Sequence, residues 1–261
     1  MRRQGAPLGI GILAAIGAAF FIVPLAGLVV RTPWGDALRA ISSPDTLEAL
    51  RLSLVASLSS TALALALGVP LAWVYARIDF PGRTILRALT TLPMVLPPVV
   101  GGIALLLAFG RRGLLGAWLD GTFGVTLPFT TAGVVFAETF VAMPFLVLTV
   151  EAGLRSMDRR FEDAARTLGA SRWTVFSRVT LPLVAPSLFA GAVLCWARAL
   201  GEFGATITFA GNFPGVTQTM PLAVYLLLET NPEGSFILSL VLLAVSLVVL
   251  VSLRDRWLGS A

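Results

Sequence analysis

The 261-residue sequence contains no histidine and no lysine, and Cys195 is its only cysteine. A disulfide within the chain is therefore excluded, as are Cys/His metal clusters and nucleophiles activated by histidine. The phosphate-binding loop of nucleotide hydrolases needs a Gly-Lys pair, which a chain without lysine cannot supply. We therefore expect no catalytic, cofactor-binding or metal-binding residue here. Any ATP hydrolysis on which the protein depends is expected on another polypeptide.

Charge is also scarce. Charged residues make up 13% of the chain and hydrophobic residues 57%, and the mean hydropathy is +0.89. This balance is typical of an integral membrane protein. Six apolar stretches are each about long enough to span a bilayer: residues 8–30, 52–74, 88–109, 130–150, 183 to about 203, and 235–253. The sequence thus predicts an all-α membrane protein with six transmembrane helices, and it predicts irregular structure for residues 204–234.

The prolines and arginines refine this topology. Pro93, Pro97 and Pro98 predict a bend in the third span. With the N-terminus inside, the inner segments carry thirteen arginines and the outer segments five, so both termini are predicted to be cytoplasmic. We expect three regions: a first helix with an external linker at 1–45, a membrane core at 46–253 and a short cytoplasmic tail at 254–261.

The most strongly charged interval lies between the fourth and fifth spans. From Arg155 to Arg178 there are six arginines and three acids, with apolar residues among them at roughly helical spacing. Gly169 has the backbone freedom to end one short helix before another begins, and Pro182 is suited to the first turn of the next. A solvated loop without a partner accounts for this composition equally well. The spacing of particular residues favours a partner.

That spacing resembles the signature loop of ABC importer permeases, which runs Glu-Ala-Ala, three residues, Gly, nine residues, an aliphatic residue, one residue, then Leu-Pro. Six positions match, and Asp163 stands in place of the first Glu, with Glu162 one position early. The matching residues are Ala164, Ala165, Gly169, Val179, Leu181 and Pro182. The resemblance implies the type I, binding-protein-dependent importer fold, in which this loop is a coupling helix that docks into a separate ATPase subunit.

Three ionisable residues fall within predicted spans: Glu138, Arg198 and Glu202. Such groups are costly at membrane depth and usually face a bundle interior or an aqueous cavity, so they are candidates for a translocation pathway. Alternatively, Arg198 and Glu202 only neutralise each other, because they lie four residues apart on a helix. Thr206 and Thr208 are further candidates, since a hydroxyl can donate a hydrogen bond to an anion.

Three stretches resemble the molybdate branch of the oxyanion permeases: residues 91–102, 110–113 and 198–222. Together with the signature loop, this resemblance extends over residues 46–253. It implies a molybdate or tungstate permease in the bacterial cell membrane, with no nucleic-acid partner. The implied assembly is a permease homodimer, two ATPase subunits that use Mg-ATP and an extracytoplasmic molybdate-binding protein.

Two other functions remain open from the sequence. The first is a permease for sulfate, thiosulfate or another oxyanion. The second, from a different class, is an ion-coupled carrier or a channel that acts without any ATPase.

Overall fold

The computed structural model describes residues 7–258, with side chains described up to residue 248. Within that part of the chain every regular element is a helix, which confirms the all-α prediction. Arg2, Arg3 and residues 259–261 lie outside the described residues. The helices are α1 (Leu8–Arg31), α2 (Trp34–Ile41), α3 (Pro44–Arg77), α4 (Arg83–Thr91), α5 (Pro98–Phe109), α6 (Gly116–Phe123), α7 (Thr131–Ser156), α8 (Arg160–Thr167), α9 (Arg172–Val175), α10 (Leu181–Leu183), α11 (Ala185–Leu200), α12 (Gly204–Phe209), α13 (Met220–Thr230) and α14 (Pro232–Leu258).

The chain divides into two compact units. One comprises Met1–Leu47 with Ala223–Ala261, and the other comprises Glu48–Leu222. In the first unit α14 contacts α1 and α2. No side chain of α1 is buried within the described structure, and the helix is uniformly apolar until Arg31. Such a surface is suited to lipid, where an all-round apolar helix needs no partner.

Among the described residues, three single helices, α1, α3 and α7, are long and apolar enough to cross a membrane, and the described part of α14, Pro232–Val248, is a shorter apolar helix. Two bent pairs are further candidates. The chain bends by 119° between Arg83–Met94 and Pro98–Phe109, and by 72° between Arg172–Leu183 and Ala185–Leu200. The first bend confirms the break predicted at the prolines, which lack the N–H that a continuous helix requires. The count of six spans and the cytoplasmic position of both termini stay predictions.

The irregular structure expected for residues 204–234 is wrong. Gly204–Phe209 and Met220–Thr230 are helical, and a third helix begins at Pro232. The stretch has few of the charges that usually flank helices, and a six-residue helix such as α12 has little stability of its own. Tertiary packing supplies that stability, because α12 contacts both α5 and α7.

The second unit is built around α7. One part of this helix packs against α11 and another part against α5 and α12. Close approach depends on small residues: Gly191 of α11 lies against Leu146, and Gly153 of α7 lies against Ser187. Small residues at helix contacts let backbones come together in a membrane, where hydrophobic burial between helices gives little driving force.

Gly102 of α5 shows how tight this packing is. A Cβ at that position would lie 2.7 Å from the Cβ of Thr208 and 2.8 Å from the carbonyl oxygen of Ala205. We expect Gly102→Ala to lower the melting temperature of the purified permease, at a cost of about 1–3 kcal/mol for overpacking. The matched control is Gly121→Ala in α6, where a Cβ has no described neighbour within 4 Å. Equal stability of the two variants would contradict the packing described for α5 and α12.

Candidate site for coupling and translocation

The charged segment between α7 and α11 forms a helical elbow, residues 157–184. Its first helix, α8, ends in a turn in which the Gly169 N–H donates to the Arg166 carbonyl, and Gly169 has a φ of +83°. The next helix, α9, begins after Ser171, whose hydroxyl accepts from the Thr174 N–H at 3.1 Å. A left-handed residue at a helix end strongly favours glycine. Gly169 therefore sets the angle between two short helices.

The elbow exposes large apolar side chains. Phe161 is 55% exposed, Leu168 is 88% exposed and Trp173 is 72% exposed. Isolated apolar side chains are common on protein surfaces, but these three lie on one short segment that also carries eight charged residues. Apolar residues surrounded by charge are suited to a protein partner.

The seven residues predicted to couple the chain to an ATPase all lie in this elbow. Asp163 and Ala164 are exposed on α8, Ala165 is half-buried there, and Gly169 is exposed where the helix ends. Val179, Leu181 and Pro182 lie in and after a π-helical turn, Phe176–Thr180, that leads into α10. The motif thus places its first half on the helix and its second half at the entrance to α11.

Glu162, to which the sequence assigned no role, is the buried acid of the elbow. Its side chain is only 5% exposed and makes an ion pair with Arg77, the last residue of α3. The Thr180 hydroxyl donates to Glu162 Oε1 at 2.7 Å. Asp163, in contrast, is exposed and contacts only Arg166 of its own helix, at 3.4 Å. The sequence feature that could have identified Glu162 is its position three residues before Ala165, which places both residues on the same face of α8.

Arginines also cap the end of α3 nearest to the elbow. The Tyr75 carbonyl accepts from Arg83 and from Arg155, and the Ala76 carbonyl accepts from Arg159. The last carbonyls of a helix lack partners within the helix and carry partial negative charge, so cations are favoured there. These arginines, which the sequence explained only as markers of orientation, hold α3, α4, α7 and the elbow together.

Glu151 is the counter-ion of two arginines, Arg155 and Arg87. Its carboxylate, 1% exposed, lies 2.7 Å from Arg155 Nη2 and 3.1 Å from Arg87 Nε. Glu151 thus links α7 to α4, although it lies next to the predicted end of the fourth span and received no role from the sequence. A buried carboxylate is tolerated only when it is paired.

Replacement of Glu151 should therefore destabilise the protein. We expect Glu151→Gln to lower the unfolding free energy by about 1–3 kcal/mol, since both arginines lose a buried ionic partner. The matched control is Asp79→Asn, because Asp79 also pairs with an arginine but its side chain is 94% exposed. An exposed pair contributes about 0–1 kcal/mol. Thermal unfolding of the purified variants tests this, and similar losses would contradict the role of Glu151.

Within the predicted fifth span, Arg198 and Glu202 form the ion pair that the sequence offered as one alternative. Arg198 Nη2 lies 2.5 Å from Glu202 Oε2, and the Ala205 N–H donates to Glu202 Oε1 at 2.7 Å. The two side chains differ in burial, with 28% of Arg198 exposed and 1% of Glu202. Glu202 therefore neutralises Arg198 and caps α12, while the Arg198 side chain stays partly exposed.

The other pathway candidates differ in whether a side-chain oxygen is left without a hydrogen-bond partner. Glu138 is buried near enough to Glu202 to interact with it electrostatically, and its Oε2 has no hydrogen-bond partner among the described residues. The Thr206 hydroxyl is also buried without such a partner, whereas Thr208 donates to the Gly204 carbonyl at 2.8 Å. The structure thus places Glu138 near Glu202, which pairs with Arg198. The Thr208 hydroxyl is engaged within α12.

Residues 64–258 match the family described as "Binding-protein-dependent transport system inner membrane component". The chain is 46% identical over 245 residues to the molybdenum transport system permease protein ModB of Mycobacterium tuberculosis, covering 93% of this chain and 92% of the relative. It is 43% identical over 212 residues to ModB of Escherichia coli, covering 81% and 93%. The sulfate transport system permease protein CysT of Escherichia coli is 35% identical over 255 residues, covering 96% and 91%.

Solved structures share the fold at low sequence identity. A bacterial alginate ABC transporter in complex with an alginate pentasaccharide-bound periplasmic protein superposes with a TM-score of 0.74 at 17% identity, covering 94% of this chain and 91% of that one. An amino acid ABC transporter with histidines gives a TM-score of 0.58 at 17% identity, covering 82% and 94%. At these identities the likeness supports the fold alone.

Proposed function

Because this chain belongs to the family of inner membrane components of binding-protein-dependent transport systems, we propose that it is the permease subunit of an ATP-driven molybdate importer. It is an inner-membrane protein, with several long apolar helices. Over the aligned residues, the two molybdenum permeases are 46% and 43% identical to this chain, and the sulfate permease is 35% identical to it. This difference supports molybdate over sulfate. Tungstate, an oxyanion of the same shape and charge, is included in this proposal.

The observation that carries the proposal is the elbow, which exposes Phe161, Leu168 and Trp173 among arginines. Lipid would suit the apolar side chains but not the charges, and water would suit only the charges. A folded protein surface with an apolar cleft and an acidic rim suits both. We propose that this partner is the ATPase subunit, since the chain has no lysine for a phosphate-binding loop of its own.

The proposed complex contains two permease chains, two ATPase subunits and one extracytoplasmic molybdate-binding protein. Mg-ATP binds only to the ATPase subunits. When these subunits close, they move the elbow, and the elbow shifts the membrane helices between inward-facing and outward-facing states. Each state binds the anion differently, so the ATPase cycle drives import.

Arg198 is the group that we propose to contact the anion. A tetrahedral dianion needs hydrogen-bond donors along its route, and a guanidinium offers several together with a positive charge. Glu202 Oε2 lies 2.5 Å from that guanidinium, and the Arg198 side chain stays partly exposed. An arriving oxyanion therefore competes with Glu202 for Arg198, which keeps the contact weak enough for release.

Uptake into proteoliposomes tests the proposal. The permease is reconstituted with its ATPase and binding protein, and ATP-dependent uptake of labelled molybdate is measured with excess tungstate or sulfate as competitor. We expect uptake only with both ATP and the ATPase, and competition by tungstate but not by equal sulfate. Uptake without the ATPase would indicate a carrier or channel. Stronger competition by sulfate would indicate a sulfate permease.

A further inference from the structure

We propose that Glu162 is a positioning residue that transmits movement of the elbow to α3 and to α11. The inference rests on the proposed function, because it assigns the internal connection that an ATPase-driven movement would use. The signature motif assigns its acidic position to Asp163. The geometry instead points to the residue before it.

The first connection runs from Glu162 to α3. Arg77 Nη2 donates to Glu162 Oε1 at 3.3 Å, and Arg77 Nε lies 3.2 Å from Glu162 Oε2. The guanidinium therefore faces the carboxylate with two nitrogens, an arrangement that fixes orientation as well as distance. Both side chains are less than a tenth exposed, so water screens the attraction little.

The second connection runs from Glu162 to the entrance of α11. Thr180 is the last residue of the π-helical turn, its hydroxyl donates to Glu162 Oε1 at 2.7 Å, and α10 and α11 follow directly. The same carboxylate oxygen accepts from Arg77. One oxygen of α8 thus joins the end of one membrane helix to the beginning of another.

A cavity beside α8 makes these polar connections important. It has a volume of about 470 Å³, and its lining includes Trp73 and Arg77 of α3, Arg159 and Glu162 of the elbow, and Phe176 of the π-helical turn. Two lining residues, Trp73 and Phe176, meet edge to face with ring centroids 6.2 Å apart, and the cavity leaves the rest of the apolar packing between these elements incomplete. The polar connections between them are the Arg77–Glu162–Thr180 contacts and the hydrogen bond from Arg159 to the Ala76 carbonyl.

Asp163 lacks such connections. It is exposed, and the contacts of its carboxylate remain within α8. An exposed pair one helical turn apart contributes little and moves with its own helix. Asp163 is therefore placed to face the partner, and Glu162 is placed to face the membrane helices.

The test is the number of ATP molecules hydrolysed per molybdate transported by the reconstituted complex. Glu162→Gln keeps the shape of the side chain but loses the charge that pairs with Arg77. Because Arg77 then lacks its buried partner, we expect less assembled complex. In the complex that does assemble, we expect the ATP-to-molybdate ratio to rise about tenfold, the factor typical of a lost charge-assisted hydrogen bond. Asp79→Asn is the control, because Asp79 also pairs with an arginine but is 94% exposed and lies outside the elbow, and it should change the ratio less than about twofold.

A second pair of variants tests the connection to α11 without disturbing the buried charges. Thr180→Val removes the hydroxyl and should raise the ratio about threefold to tenfold, the factor expected for one lost hydrogen bond. Thr180→Ser keeps the hydroxyl and should restore a ratio near that of the wild type. A purely structural role would reduce the amount of assembled complex and leave this ratio unchanged.

The outcomes separate the inference from the proposed function. A wild-type ratio in Glu162→Gln, or an equal effect of Asp79→Asn, would overturn the role of Glu162 while the wild-type protein still imports molybdate. A loss of transport that only parallels a loss of assembled complex would also overturn it. If the wild-type chain neither binds an ATPase nor imports molybdate with one, the proposed function fails and the inference fails with it.

Discussion

Gly169→Val should leave the permease folded in the membrane and reduce ATP-driven transport at least tenfold. Gly169 has a φ of +83°, and no described atom lies within 4 Å of the position that its Cβ would occupy. A β-branched residue thus meets no clash but is strained in this conformation by about 1–3 kcal/mol. The strain is relieved when the turn between α8 and α9 changes its angle. Leu168 and Trp173, which lie on either side of the turn, would then no longer fit one partner surface together.

The control for this prediction is Gly169→Asn. Asparagine accepts the left-handed conformation far better than valine does, so this variant should retain most of the transport. The readouts are the amount of permease in the membrane, the binding of the ATPase and ATP-dependent molybdate uptake. Equal transport by the valine and asparagine variants would show that the backbone angle at Gly169 has no part in coupling.

Arg198→Ala should abolish transport, and it should also reduce the amount of folded protein. The substitution leaves the buried Glu202 without its ionic partner, and an unpaired buried charge costs about 3–5 kcal/mol. Transport by this variant alone therefore cannot separate a pathway role from a structural one. The double variant Arg198→Ala with Glu202→Gln removes both charges and should restore the folded protein.

The double variant then tests the pathway directly. If Arg198 contacts the oxyanion, the double variant is folded, assembles with the ATPase and transports molybdate at least about tenfold more slowly than the wild type, because a charged donor is lost. Glu202→Gln alone is the control, since it keeps the arginine. Wild-type uptake by the folded double variant would show that the pair serves only for mutual neutralisation.

The helical architecture was predictable because long uncharged runs have few alternatives in a membrane. The bend near Pro97 was predictable for a local reason, the missing N–H of proline. The helices at Gly204–Phe209 and Met220–Thr230 were missed, because α12 depends on packing against α5 and α7 and composition gives no sign of that packing. Tertiary contacts decide such short helices, whereas intrinsic propensity decides little.

The site was predictable where the chemistry is local. The Arg198–Glu202 pair follows from a spacing of four residues on one helix, and the turn at Gly169 follows from the signature spacing. The pairing of Glu162 with Arg77 joins residues that are 85 positions apart, and Arg155 donates to the Tyr75 carbonyl across 80. One sequence contains no signal for such distant contacts. The spacing of the signature motif assigned its acidic position to Asp163, because that spacing does not show which carboxylate the fold buries.

ATP-driven import through this chain requires that the elbow lies in the cytoplasm and is covered by an ATPase. The most direct test labels a Leu168→Cys variant with a membrane-impermeant maleimide, because Leu168 is 88% exposed and Cys195 is buried. We predict labelling in inside-out vesicles, none in right-side-out vesicles, and protection when the ATPase subunit is added to the inside-out vesicles. Labelling from the outside, or labelling that the ATPase does not reduce, would contradict the account.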